Sequence, residues 1–339
     1  MSHYNRIDTM QQQRFIRQFF VATLISGGTM LMAACDDSDA LPIQADEVRY
    51  SDTLIQPTAT VVTPAITKGD FEGPINGTTF TPSSDKIFGV SAFVGNEVPT
   101  NWTPNSRIHF SPVHSDAVGK YFFDERKYYP IDNKLYFYAF SPMVNCDTVA
   151  GTATEHPKII YNITGREDIV WSKNDTGIAK AEDPSSQQHP DFQFKHLLQR
   201  VIFSVKRTDN VSPTLQLTEI RITGIRTKAT LDLITGDLTF EDDPSRSSIS
   251  INYPYTPTTE FVTIPYDLMF EPGMTEFNIV AVIDGVEYSA TVDLNPTDNA
   301  YAGEAGYKHI VQLTINGSTL NVEKPQLTDW ESFTTTGNI

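Results

Sequence analysis

Beyond residue 68 the chain alternates short apolar runs with turn-forming residues and almost nowhere keeps a helical period. Leu135-Tyr136-Phe137-Tyr138-Ala139-Phe140 is apolar at every position, which predicts a central strand covered on both faces; Ile159 to Ile163 and Val201 to Val205 read the same way. Hairpins are written more plainly in the second half. Phe277 to Ile283 and Val286 to Val292 flank Asp284-Gly285, a strong two-residue turn signal. His309 to Ile315 and Thr319 to Val322 flank Asn316-Gly317, and Leu231-Asp232-Leu233 and Leu238-Thr239-Phe240 flank a turn containing Gly236-Asp237. Evenly spaced short strands without alternating helices predict an all-β fold of β-sandwiches over a parallel sheet. His196 to Arg200 is the one helix-like stretch and is too short to set the fold class. A polar break at Arg207-Thr208-Asp209-Asn210-Val211-Ser212-Pro213 divides the globular part into residues 69–208 and 209–339, each of ordinary domain size.

The amino-terminal pattern is different. Arg14 and Arg17 precede the apolar run Phe19 to Ala34, which has the charged start, short apolar middle and small-residue exit of a secretory signal. Its length and its Gly27-Gly28 pair make it a poor permanent membrane span. Leu31-Met32-Ala33-Ala34-Cys35 resembles a bacterial lipobox, although Met32 sits where leucine is commoner. That resemblance implies acylation of Cys35, with attachment to outer-membrane lipid; the alternative is an ordinary signal peptide cut nearby. A multiply acylated cysteine anchors stably where one chain would not. Asp36-Asp37-Ser38-Asp39 resembles the signal that directs lipoproteins of Bacteroidetes-type bacteria to the cell surface, or is a solvated linker. Residues 35–68 read as an acidic, proline-rich tether and first-strand region, in which Thr58-Ala59-Thr60-Val61-Val62-Thr63 has strand character.

Charge and cysteine usage narrow the function further. The 339 residues hold 42 Asp+Glu against 25 Lys+Arg, a formal net charge of −17. Residues 1–34 are net basic, with Arg6, Arg14 and Arg17 against Asp8, so the remainder is more acidic still. No surface of that kind neutralises phosphates, and nucleic acid is not expected as a partner. At 39% apolar and 11% aromatic residues the chain is too hydrophobic for disorder. Two cysteines exclude a disulfide scaffold and a four-cysteine zinc site. With Cys35 acylated, Cys146 has no partner and reads as a buried structural thiol.

No nucleophile elbow, zinc-protease helix, Walker loop or dinucleotide fingerprint is present, so no catalytic residue, metal or cofactor is assigned and the chain reads as a non-enzyme. His109 and His114 beside Asp116 have the residue types of a metal pair but sit in a Pro- and Ser-rich stretch that favours a structural reading. His196 reads as a packed, hydrogen-bonded histidine. Glu241-Asp242-Asp243 lacks the alternating ligands and glycine of a calcium loop and reads as a solvated turn. The aromatics of Tyr121-Phe122-Phe123 and Tyr128-Tyr129-Pro130 read as core before they read as a glycan platform.

Five segments in order resemble the fimbrillin family of Bacteroidales, the subunits of type V surface fimbriae. They are Phe88-Gly89-Val90-Ser91-Ala92-Phe93; Lys127-Tyr128-Tyr129-Pro130 with Leu135 to Pro142; Phe192-Gln193-Phe194-Lys195-His196-Leu197-Leu198-Gln199-Arg200-Val201; Ala302-Gly303-Glu304-Ala305-Gly306-Tyr307; and Leu327-Thr328-Asp329-Trp330. Asp168-Ile169-Val170-Trp171-Ser172-Lys173 departs from the family pattern through its tryptophan. The resemblance implies two tandem transthyretin-like β-sandwiches and export as a lipoprotein. It also implies assembly by β-strand complementation with other fimbrial subunits, after an arginine-specific protease removes the amino-terminal tether and first strand. Arg49, in Asp46-Glu47-Val48-Arg49-Tyr50, is the candidate cut, or an ordinary linker residue. Trp330 to Ile339 is a donor strand or a frayed end. Two rival roles stay open: a stand-alone or tip adhesin lipoprotein that binds glycan or host protein, and an accessory lipoprotein of glycan degradation.

Overall fold

The computed structural model describes residues 48–64, 74–79, 88–116, 120–242, 247–294, 301–317, 319–323 and 325–329; the signal segment, Cys35 and the residues from Trp330 onward lie outside them. The described residues fall in one compact unit. In chain order the strands are β1 (Tyr50–Leu54), β2 (Thr58–Pro64), β3 (Pro74–Thr79), β4 (Phe88–Gly95), β5 (Ser106–Ser115), β6 (Tyr121–Phe123), β7 (Tyr128–Pro130) and β8 (Lys134–Ser141). Next come β9 (Cys146–Val149), β10 (Lys158–Asn162), β11 (Val170–Ile178), β12 (Asp191–His196), β13 (Gln199–Arg207), β14 (Leu217–Ile225), β15 (Lys228–Asp232) and β16 (Leu238–Phe240). The last are β17 (Ser247–Tyr255), β18 (Val262–Phe270), β19 (Glu276–Ile283), β20 (Val286–Asp293), β21 (Tyr307–Asn316), β22 (Thr319–Val322) and β23 (Gln326–Asp329). Helical structure among the described residues is limited to α1 (Trp102–Asn105) and a 3-10 turn at Pro184–Ser186.

The fold grows from an eight-stranded sheet in the order β3-β2-β12-β11-β8-β4-β5-β6. Its central strand β8 is buried at every position after Lys134. Tyr136, Tyr138 and Phe140 pack on one side with Phe93, Trp102, Ile159, Tyr161, Trp171, Ala229 and Leu231. Leu135, Phe137 and Ala139 pack on the other with Val90, Phe88, Phe192 and Phe194. The apolar run 135–140 therefore does what its pattern predicted. Ile159 to Ile163 does not: β10 buries Ile159 and Tyr161 and turns Asn162 to solvent, because the sheet β16-β15-β10-β9 has only one covered face.

That second sheet closes the Tyr136 side. Its hairpin β15–β16 pairs Leu231 with Leu238 around the predicted Gly236-Asp237 turn. Trp171 of β11 donates its indole N–H to the Leu233 carbonyl at 2.8 Å, which pins the hairpin to the large sheet. Gly236, at φ +82°, lies against the same ring, and a Cβ there would stand 2.5 Å from Trp171 Cε3.

The opposite face is covered by the sheet itself, which rolls until its ends meet. Tyr121 of β6 donates its hydroxyl to the Ala59 carbonyl of β2 at 3.4 Å, although the two strands stand near opposite ends of the strand order.

A second pair of sheets, β18-β13-β21-β22 (with β23 on β21) and β17-β14-β19-β20, encloses a separate core. Val201, Phe203 and Val205 of β13 and Val311, Leu313 and Ile315 of β21 face Ile220 and Ile222 of β14 and Ile279 and Ala281 of β19. The β19–β20 hairpin pairs Ile283 with Val286, with Asp284 at φ 48° and Gly285 at φ 78° as the two-residue turn requires.

Strand pairing does not respect residue 208 as a boundary. β13 lies before the polar break but belongs to the second pair of sheets, and β15 and β16 lie after it yet pair with β10. Residues 207–213 form a loop tied locally, with Thr208 N–H donating to the Ile315 carbonyl at 3.0 Å. His196 to Arg200 is not a helix: His196 ends β12, Gln199 and Arg200 begin β13, and Leu197-Leu198 between them carries the chain from one pair of sheets to the other. Leu198 and Met269 join the aromatic core of the first layers, and Met269 N–H donates to the Gly165 carbonyl at 2.7 Å.

His309 sits fully buried in the second core, where Nε2 accepts the Gly303 N–H at 3.2 Å. Burial drives its pKa down to about 4.

Gly236→Ala should combine a clash with Trp171 and a left-handed backbone, destabilising the fold by about 2–4 kcal/mol in denaturant unfolding. Between pH 6.5 and 4 the unfolded chain protonates residue 309 while the folded chain does not, so stability rises with pH and is lost on acidification. Chemical unfolding should show a loss of about 3 kcal/mol across that window from this group. His309→Gln, which keeps an acceptor for Gly303, should flatten that limb.

Candidate functional site

The first two strands are attached to the molecule in an unusual way. β2 runs parallel to β12, with Thr58 facing Asp191, Thr60 facing Gln193 and Val62 facing Lys195. Its other neighbour, β3, begins to pair only at Thr60. β1 pairs antiparallel with β7 in a separate two-stranded sheet. The strand character read at 58–63 is realised in β2.

Main-chain bonds tie this segment to the body at several points. Ile55 N–H donates to Lys127 O at 2.8 Å, Thr58 N–H to Pro190 O at 2.9 Å, and Ile131 N–H to Arg49 O at 2.9 Å. Ser51 Oγ donates to Tyr129 O and Thr58 Oγ1 to Asp191 Oδ1. Ile55 and Ala59 reach the core with Phe192 and Phe194, and Pro57 is buried beside them. Burial of the Ile55 side chain contributes roughly 1.5–3 kcal/mol.

Between β1 and β2 the amide of Gln56 donates to His189 Nδ1 at 3.2 Å, and the Tyr129 hydroxyl lies 3.4 Å from the same nitrogen. Partial burial pulls the His189 pKa below its ordinary value. Residues 56–60 also line a cleft of about 380 Å³ with Lys120, Tyr121 and His189, at the seam where the rolled sheet meets itself. Sequence reading missed His189 because 133 residues separate it from Gln56 and nothing in Gln187-Gln188-His189-Pro190 points to so distant a partner.

Arg49 stands at the entrance to this segment. Its guanidinium is exposed and pairs with the equally exposed Asp132 at 3.0 Å, a contact of little energetic weight. Both β1 and β2 lie carboxy-terminal to Arg49, and the next arginine in the chain is Arg107. Cleavage after Arg49 therefore separates residues 1–49 and leaves β1 and β2 on the molecule. With the Arg49 carbonyl accepting the Ile131 N–H, the peptide bond after Arg49 lies at the end of the β1–β7 ladder, and any cut there would first require that pairing to open.

The remaining sequence candidates have structural partners. His109 and His114 have separate partners on β5: His109 Nδ1 lies 3.0 Å from Ser106 Oγ, and His114 pairs with Asp124 at 2.7 Å. Among the described residues no three His, Cys, Asp or Glu side chains gather to hold a metal ion. Buried His196 bonds Asp168 through Nδ1 at 2.7 Å. Glu241 pairs with Lys228 and Asp242 with Arg226, while Asp243 lies outside the described residues. Tyr121, Phe123 and Tyr129 are core, as their alternation predicts, and Phe122 is exposed. Cys146 is half-buried on β9, its thiol pushed up by burial and by Asp147.

A family model described as fimbrillin-like matches residues 74–330. Solved structures share the fold. A candidate cell adhesion protein from Bacteroides ovatus aligns with 14% identity and a TM-score of 0.57, covering 84% of this chain and 99% of that one. A fimbrial protein from Bacteroides vulgatus aligns with 16% identity and a TM-score of 0.51 over 81% of this chain and 99% of that one. A candidate cell adhesion protein from Bacteroides uniformis gives 17% identity and a TM-score of 0.50 over 82% and 100%. Among curated proteins, none matches the sequence.

As pH falls below the ordinary histidine range, protonation of His189 Nδ1 should remove the acceptor for the Gln56 amide. Hydrogen exchange at Gln56, corrected for intrinsic pH dependence, should then accelerate while β8 amides stay protected. Unchanged protection at Gln56 down to the acid unfolding limb would exclude His189 as its pH-dependent tie.

Proposed function

Because the chain belongs to the fimbrillin-like family, we propose that it is a structural, non-enzymatic component of a cell-surface fimbria, carried out as a lipoprotein and assembled by β-strand complementation. Cys35 is the acylation site that holds the precursor in the outer membrane. Cleavage after Arg49 by an arginine-specific protease then frees the folded unit from its anchor. Residues 50–64 become a short amino-terminal arm.

The observation that carries this reading is the attachment of β2. Its described attachment is a run of main-chain pairings to β12 from Thr58 to Val62, so an extended segment from a neighbouring subunit can take over the same bonds. Exchange in one direction between identical subunits makes a filament and not a closed ring. The acidity of the exported part is then a colloidal property of a surface protein.

Cys35→Ala should shift the protein from the membrane fraction to the soluble fraction. Arginine-specific protease added to purified precursor should produce a ladder of oligomers, which Arg49→Ala should abolish. A disulfide placed between Thr60→Cys and Gln193→Cys, which face each other across the parallel pair, should allow cleavage but stop the ladder. A persistently monomeric product after complete cleavage of the unlocked protein would overturn assembly by this route.

A further inference from the structure

Two proline-containing bulges on neighbouring edge strands gather three tyrosines, one exposed and two half-buried, into one shelf. In β18, Ile202 of β13 faces Asp267 and Ser204 faces Thr263, so the single residue Phe203 stands opposite Ile264, Pro265 and Tyr266. By alternation Tyr266 belongs with the buried Ile264 and Leu268, yet it is 44% exposed because the bulge turns it outward. In β17, Glu219 of β14 faces Asn252 and Leu217 faces Tyr255, so Thr218 stands opposite Tyr253 and Pro254. The inward row Ile249-Ile251 thus ends in the half-buried pair Tyr253 and Tyr255. Their rings stack at 6.4 Å with an interplanar angle of 18°, and Tyr253 meets Tyr266 at 5.2 Å.

A cation completes the shelf from a distant part of the chain. Arg166 lies with its Cζ 5.9 Å from the centre of the Tyr266 ring. Its loop is built rigidly. The buried Glu167 accepts the Thr164 amide and hydroxyl, the Asn145 amide and the Arg166 N–H. Gly165 packs under Leu268 and Ile249 and accepts from Met269. Among the described residues no carboxylate pairs with the Arg166 guanidinium, in a chain whose net charge is −17.

We propose that Tyr253, Tyr255, Tyr266 and Arg166 form a binding site for an acidic carbohydrate, a pyranose ring carrying a carboxylate. Tyrosine faces present flat apolar surface with little side-chain entropy to lose, which suits the C–H face of a sugar ring. A guanidinium lacking a carboxylate partner suits a planar anion, which it grips through paired hydrogen bonds. Four side chains from three separated segments converge at a joint between the two pairs of sheets, where ligand sites commonly form. The site is distinct from the β1–β2 segment and acts independently of assembly.

Isothermal titration of the purified protein with 3′-sialyllactose and tri-galacturonic acid, against lactose as the neutral control, tests this. At least one acidic probe should bind saturably in the micromolar-to-millimolar range, about fivefold or more tighter than lactose. Tyr266→Ala should remove that binding, Arg166→Gln should erase the preference for the acid, and Phe122→Ala, an exposed aromatic elsewhere, should change nothing. No saturable binding of either acidic probe at millimolar concentration, equal binding of lactose, or wild-type affinity in both the Tyr266 and Arg166 variants would overturn the site. Protease-induced oligomer formation measured on the same samples reports the subunit role separately, so loss of one property leaves the other standing.

Discussion

Every position of β8 after Lys134 is buried, with Leu135, Phe137 and Ala139 on one side and Tyr136, Tyr138 and Phe140 on the other. A strand with two apolar faces is stable only where both are removed from water. One cover is the sheet of β9, β10, β15 and β16, brought in from far along the chain and pinned by Trp171. The other is the large sheet rolled onto itself. Because β13 and β14 are already committed to the second pair of sheets before β15 returns to the first, the two halves are stitched together by the chain path. The buried contacts of Leu198 and Met269 follow from that path.

Rolling the sheet has a consequence at its ends. A sheet that curls without fully closing leaves a seam, and here the seam runs between β2 and β6, bridged by Tyr121 and opening into the cleft beside Lys120 and His189. The amino-terminal segment is therefore laid against the rest of the structure by main-chain bonds, with Ile55 buried among its described side chains. An element attached in this way is the natural one to exchange, since its bonds are supplied equally well by any extended chain.

The second pair of sheets faces the opposite problem, two open edges at β17 and β18. Proline cannot donate to a ladder, and at an edge it both blocks further pairing and permits a bulge. Pro254 and Pro265 do this on adjacent strands, and the displaced tyrosines are what the edge offers to solvent instead of free backbone. Protection of an edge and construction of a binding surface are thus produced by the same two residues. The buried Glu167, whose carboxyl burial would raise but which hydrogen bonds from Thr164 and Asn145 hold below its ordinary range, steadies the loop beside them.

Local features were legible in the sequence because neighbouring residues encode them. The Asp284-Gly285 turn needs two left-handed residues between apolar alternations, and all of that is written within sixteen or so positions. The two-faced burial of β8 and the ordered family segments are of the same kind. Residues 207–213 misled because a polar loop closing on Ile315 and a polar linker have the same composition, and His196 to Arg200 misled because the end of one strand, a two-residue bend and the start of the next have no common period. By itself the sequence determined the strands, their turns and which side chains must avoid water. Only the tertiary structure decided which strands are neighbours, that β1 and β2 follow Arg49 on the folded body, and that Gln56 meets His189 and Arg166 meets Tyr266. Those choices depend on the summed burial and hydrogen bonding of residues 100 or more positions apart, as Tyr266 and Gln56 illustrate, and no local pattern carries that sum.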